Sequence, residues 1–187
     1  MPERDDIKKI QQRCYELDDE LRWLLALISD TGLRLSEAVG LAISDIKLDT
    51  PTPHIIVQPQ PWRSLKTKSS HRKVPLVGAS LWAAKRVFHY SNTPYAFPRY
   101  NDGELANANS ASAALNKWLK PLVSEGCVVH SFRHSMRDRL RAVECPKEMI
   151  DQIGGWSSSD VGESYGEGFS LDILSHWMKK IPLFNNL

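Results

Sequence analysis

Apolar positions along this chain keep two different periods. Leu21, Leu24, Leu25 and Ile28 recur at the 3.6-residue spacing of a helix and predict a core helix over 18–29, preceded by a more polar one over 5–15. Thr31-Gly32 breaks that pattern, and Ser36 stands where a side chain could cap a short helix ending near Leu41. The period then shortens. Residues 44–48, residues 54–58 and a third segment around Val74 have the short apolar runs of strands, with proline and serine between them. They predict a small antiparallel sheet. Helical spacing returns over 80–90 and 106–123, on either side of the turn-rich stretch 91–103. The last third reads as helices over 131–143, over 146–153 with Gly154-Gly155 as the stop, and over 171–180. The expected class is mainly α with a small antiparallel β-sheet (α+β), without internal repeats or low-complexity segments.

Bulk properties narrow this only a little. With 187 residues, 42% of them hydrophobic, the chain can bury a core and sits near the usual size of one domain, so 1–187 is expected to be a single unit. No run of 18 apolar residues occurs, and residues 1–6 are polar and acidic, which speaks against a membrane span or a secretory leader. Cys14, Cys127 and Cys145 are scattered and form no C-x-x-C pair, so neither a disulfide framework nor a zinc site is suggested. A cytoplasmic location is the expectation. The net charge of +2 says little about a nucleic-acid partner, but its distribution says more. Acids gather in 3–20 and 160–167, bases in 63–73 and 130–141, and two local positive patches can meet a phosphate backbone where a mean charge cannot.

Four segments hold residues suited to chemistry. In Thr31-Gly32-Leu33-Arg34-Leu35-Ser36-Glu37 an arginine sits in a turn at a helix start, where its planar fork beside free N–H groups suits an oxyanion. Taken alone, a surface pair with Glu37 explains it as well. Residues 66–75, Lys-Thr-Lys-Ser-Ser-His-Arg-Lys-Val-Pro, form a basic ribbon whose Ser-Ser centre has the look of a hairpin turn, though most charge runs are solvated loops. His130-Ser131-Phe132-Arg133 places two polar side chains on one face of a helix start. Random placement gives about 0.4 such H-x-x-R pairs in a chain with this many histidines and arginines, and His134 and Arg137 repeat the pattern one turn later, so spacing alone does not choose between them. Finally, Gly154-Gly155-Trp156 is followed nine residues on by Tyr165. A tryptophan after a helix stop is by default core, and a tyrosine near glycine a loop residue.

The order of these segments carries more than any one of them. Read together over 18–165, the chain resembles the tyrosine recombinase (phage integrase) family, catalytic domain. The resemblance implies that Arg34 and Arg133 clamp the scissile phosphate, that His130 is the histidine of the H-x-x-R motif, and that Tyr165 is the nucleophile. Trp156 stands where many members have histidine. In the hairpin the resemblance favours Lys66 as the general acid, with Lys68 as the alternative, and it makes Glu37 an orienting group rather than an acid or base. His130-Ser131-Phe132-Arg133-His134 matches the family's run, which leaves His134 and Arg137 as neighbours.

The implied reaction needs these groups. A phenol, with its reference pKa of about 10, must lose a proton to attack phosphorus, and charge must be spread over a five-coordinate intermediate. Two arginines can hold the non-bridging oxygens, a histidine can take the proton or share a phosphate oxygen, and a lysine can protonate the leaving 5′ oxygen. Trp156 offers one N–H and an apolar wall. No cofactor is implied, because a phosphotyrosyl bond conserves the energy of the linkage it replaces, and no Asp/Glu constellation suited to Mg²⁺ is evident in the sequence. The implied partner is double-stranded DNA, with self-association as a tetramer on DNA through the C-terminal helix 171–180, which could equally pack on its own domain. About 30 residues precede Arg34. The expectation is therefore that the family's N-terminal core-binding domain is absent from this chain. Rival readings are a type IB topoisomerase-like enzyme and a catalytically inactive DNA-binding or regulatory remnant.

Overall fold

A computed structural model of the chain describes residues 2–67, 70–156 and 168–184. Eight helices run in the order α1 (Arg4–Leu17), α2 (Glu20–Thr31), α3 (Leu35–Val39), α4 (Gly78–Tyr90), α5 (Ala108–Leu119), α6 (Val129–Ala142), α7 (Lys147–Gly154) and α8 (Leu171–Met178) among these residues. The strands β1 (Ile46–Lys47), β2 (His54–Val57) and β3 (Arg72–Pro75) fall between α3 and α4. The mostly helical class with one small antiparallel sheet is the class read from the sequence.

Helix α2 lies at the centre. Leu24, Leu25, Ala26, Leu27 and Ile28 are all buried, so it is apolar on every side and must be surrounded. It packs against α1, α3, α4, α5 and α6. Asp19 caps its start by accepting from the Arg22 N–H, and Gly32 ends it in the left-handed region at φ 63°. A side chain at Gly32 would be strained there and would also run into Met136 of α6. The sheet has the order β1-β2-β3, all antiparallel, with Ile46 opposite Ile55, Ile55 opposite Val74 and Val57 opposite Arg72. On β3, Arg72 and Val74 are both buried while Lys73 between them is exposed, as the alternation of a strand requires. The strand β3 packs against both α7 and α8.

Several boundaries differ from the sequence reading. Ser36 is not the cap of α3. Arg34 holds the cap position, with its backbone N–H donated to Glu37 Oε2 at 2.9 Å, because a glutamate one turn in reaches back more readily than a serine inside the turn. The predicted strand over 44–48 shrinks to β1, since a 3-10 turn at Ile43–Asp45 is held by the buried Asp45 carboxylate accepting from the Ala42 N–H. Helix α5 is shorter at both ends than 106–123. Its start is fixed by Asn107, which accepts from the Ser110 N–H. Helix α6 starts two residues earlier than expected, which puts His130 in its first turn. Between β2, which ends at Val57, and β3, which begins at Arg72, runs the 58–71 connection, and Lys68 and Ser69 of the expected hairpin turn lie outside the described residues. Helix α8 is seated on its own domain, with Leu174, Ser175 and Met178 buried and Ile173 left exposed. No described helix is long and apolar enough to cross a membrane.

Candidate active site

Arg34, Glu37, His130, Arg133 and Trp156 meet where the ends of α2, α3, α6 and α7 come together beside β3. Helix α7 stops at Gly155 in the left-handed region, φ 62°, which exposes its last carbonyls to neighbours. Three arginines donate to them. Arg72 Nε reaches the Ile153 carbonyl at 2.8 Å, Arg133 Nη2 the Gly154 carbonyl at 2.6 Å, and Arg34 Nη2 the Gly155 carbonyl at 3.3 Å. Cations at the negative end of a helix are favoured by its dipole. Arg133 Nη1 also donates to the Gly32 carbonyl at 2.5 Å, so the two glycine stops of α2 and α7 hold one guanidinium between them.

Glu37 organises the rest. Its carboxylate is 4% exposed and accepts from Arg34 Nη1 at 2.7 Å and, in a two-pronged contact, from Arg72 Nη1 at 3.2 Å and Nη2 at 2.9 Å. Burial works to raise the Glu37 pKa, but Arg72 and then Arg34 outweigh it and hold the carboxyl below its ordinary value. Arg34 makes a further contact to Ser70 Oγ at 3.2 Å, which ties the 58–71 connection to the site. Its side chain is 23% exposed, so this guanidinium reaches the surface.

Arg133 differs in kind. It is 3% exposed, and the hydrogen bonds it makes to the described residues go to neutral carbonyls. Burial, then the positive charges of Arg34 and Arg72, push its pKa down to about 10, which still leaves it protonated at neutral pH. His130 lies one turn before it on α6, exposed at the rim, with its ring 5.0 Å from that of His134. Loss of part of its hydration, then the charges of His134, Arg133 and Arg34, hold the His130 pKa below its ordinary value. Trp156 follows the α7 stop, with the Arg133 guanidinium 4.3 Å from its ring centroid and that of Arg137 at 5.0 Å.

The structure thus brings Arg34, Glu37, His130, Arg133 and Trp156 into one neighbourhood. Lys66 is exposed within the 58–71 connection whose end is held by Ser70. Lys68 and Tyr165 lie outside the described residues. Two arginines of the cluster escaped the sequence reading as site residues. Arg72 reads in the sequence only as part of a basic ribbon, although its position two residues before Val74 on a strand is the signal that it faces inward. Arg137 reads there as a neighbour, although its i, i+4 spacing from Arg133 places the two on one helix face.

Residues 3–167 match the model of the phage integrase family. The fold is similar to that of the XerH site-specific recombinase bound to difH substrate in a pre-cleavage complex, with a TM-score of 0.62 at 16% identity over 92% of this chain and 48% of that one. It is also similar to XerH in a post-cleavage complex with palindromic difH substrate, with a TM-score of 0.59 at 18% identity over 94% and 49% of the two chains. The Tn1549 transposon integrase in complex with transposon right end DNA gives 0.57 at 19% identity over 86% and 58%. The chain therefore spans about half the length of these structures, and at such identities the likeness is one of fold. No protein of curated function matches the sequence.

Proposed function

Because the chain belongs to the phage integrase family, we propose that it is the catalytic domain of a site-specific tyrosine recombinase that cuts and rejoins double-stranded DNA through a 3′-phosphotyrosyl intermediate. The element served is a prophage or another mobile element, and the enzyme works as a tetramer on DNA. The observation that carries this reading is the surplus of guanidinium charge around Glu37. Arg34 and Arg72 share one carboxylate, and both of them and Arg133 donate to the carbonyl end of α7, which leaves positive charge uncompensated among the described residues. A pentacoordinate phosphate supplies the missing negative charge.

In the proposed reaction the Tyr165 hydroxyl oxygen forms a bond to phosphorus as the bond from phosphorus to the 5′ oxygen breaks. His130 takes the tyrosine proton, a role suited to an imidazole whose pKa is held below its ordinary value by lost hydration and then by the cations around it. Arg34 and Arg133 hold the two non-bridging oxygens, Arg34 from the partly open side and Arg133 from the buried side. Glu37 and Arg72 keep Arg34 in place. Lys66, exposed on a connection anchored through Ser70, protonates the departing 5′ oxygen. Trp156 walls the phosphate pocket. Rejoining runs the same steps backwards with a 5′ hydroxyl as the attacking group.

Trapping tests the reading. A suicide duplex nicked beside its scissile phosphate, taken from DNA flanking the gene, should give a denaturant-resistant adduct with the parent and none with Tyr165→Phe, while non-covalent binding of the two stays equal. Adduct from Tyr165→Phe at the parent's yield would overturn the assignment. Relaxation of supercoils without strand exchange between two sites would point to a topoisomerase-like enzyme instead.

A further inference from the structure

The second H-x-x-R pair is not used in the reaction above, yet Arg137 is tied into the site. Its guanidinium carbon lies 5.0 Å from the Trp156 ring centroid, and Arg133 approaches the same ring at 4.3 Å. The other tie is to Asp151 on α7, which is 6% exposed and whose Oδ1 is 3.9 Å from Arg137 Nη2. The same aspartate meets Lys147 through its other carboxylate oxygen at 3.2 Å. Its backbone carbonyl accepts the Trp156 N–H at 3.0 Å. One residue of α7 thus fixes Trp156 by its main chain and draws in, by its side chain, the arginine that lies over the indole.

We propose that Arg137 is a positioning residue for the reaction: drawn toward Asp151, it holds the Trp156 indole against Arg133 and so sets the guanidinium that grips the scissile phosphate. The geometry supplies the reason. Arg133 has no carboxylate partner of its own in the described structure; its hydrogen bonds are to the Gly32 and Gly154 carbonyls. Two planar carbonyl contacts fix the far edge of the guanidinium, and a ring against its face restrains the remaining rotation. A bulky indole after the left-handed Gly155 needs a restraint as well, because Trp156 is partly exposed. Arg137 supplies it at low cost in freedom, being a planar cation already directed by an adjacent carboxylate.

This inference rests on the recombinase reading, and its test separates the two. The 187-residue chain carrying 5-fluorotryptophan has six tryptophans, and Trp156→Phe assigns the resonance of interest in the ¹⁹F spectrum. Arg137→Ala should move the Trp156 resonance more than any other, and Arg137→Lys should move it less, since a lysine keeps a cation over the ring. An unmoved Trp156 resonance overturns the proposal whether or not the chain cuts DNA, while unshifted resonances elsewhere show that the variant is folded. On the suicide duplex, single-turnover cleavage at saturating protein should fall about tenfold in Arg137→Ala and recover to within about threefold in Arg137→Lys, with DNA affinity unchanged. In a Trp156→Ala background the same Arg137→Ala change should cost less than about twofold, because the residue through which it acts is gone. An undiminished loss in that background, or weaker DNA binding with normal saturated cleavage, would make Arg137 a phosphate contact instead and overturn the proposal. A parent that forms no adduct refutes the recombinase reading and leaves the spectroscopic result to decide the contact.

Discussion

Two of the buried carboxylates, those of Asp30 and Glu37, are surrounded in opposite ways. Asp30, fully buried at the end of α2, accepts from Gln11 of α1 at 3.0 Å, from the Ala79 N–H of α4 at 2.9 Å and from Arg139 of α6 at 2.8 Å. One guanidinium meets one carboxylate, and Arg139 spends further donors on the Ser29 and Ile181 carbonyls. That cluster is neutral and closed, and it ties four parts of the chain together. Glu37, seven residues on, gathers Arg34 and Arg72, with Arg133 close by on the same helix-end carbonyls. Among the described residues three positive charges face one negative charge there, and one of the arginines reaches the surface. A fold has no use for uncompensated buried charge. The first cluster is explained by stability alone, whereas the second makes sense with an external anion.

The comparison can be broken by removing one charged residue from each cluster. Arg133→Met should lower suicide-duplex cleavage by at least about a thousandfold, the scale of losing an electrostatic clamp on the transition state. Its urea-unfolding free energy should change by less than about 1 kcal/mol, because relief of a desolvated charge offsets the two carbonyls it leaves. Asp30→Ala should show the reverse emphasis. Leaving the part-buried Arg139 without its partner is expected to cost about 3 kcal/mol in the same unfolding measurement.

Two smaller effects sharpen the picture of the proposed site. Lys66→Ala should slow cleavage of normal DNA roughly a hundredfold, as loss of a general acid does. It should recover on a duplex with sulfur at the bridging 5′ position, because a thiolate with a pKa near 8.5 leaves without a proton. The parallel comparison on Lys68→Ala decides between the two lysines. The smallest effect concerns His130. Its depressed pKa keeps it neutral, and able to accept the tyrosine proton, down to a lower pH than an ordinary histidine, so activity should fall only as pH drops through that lowered value. His134→Ala removes one of the positive neighbours, so the His130 pKa should rise and the acidic limb of the cleavage profile move to higher pH, as followed by the His130 ring signals in a proton NMR titration.

Periodicity made the helices legible because each buries a stripe, and α2 stood out because it buries every face. The short elements were less legible. A two-residue strand such as β1 has no period to read, and its limits are set by Asp45 reaching the Ala42 N–H, a contact that depends on the turn already being formed. At the site, Arg34, His130, Arg133 and Trp156 could be picked out by the order of their motifs along the chain. Arg72 and Arg137 could not, since what distinguishes them is partners far away in sequence, the Ile153 carbonyl for one and the Trp156 ring for the other. Resemblance named the residues; only packing reveals that the carbonyl end of α7 is what gathers the arginines.

The central claim is that the surplus charge around Glu37 exists to hold a scissile phosphate, and changing the charge of that phosphate tests it most directly. A suicide duplex whose scissile phosphate has one non-bridging oxygen replaced by a methyl group carries no charge there to be clamped. Arg34→Ala, nearly inactive on the normal duplex, should cleave the methylated one within about tenfold of the parent's rate on the same substrate. An Arg34→Ala variant that is as inactive on the neutral duplex as on the charged one would contradict the claim and return Arg34 to the role of a structural partner of Glu37.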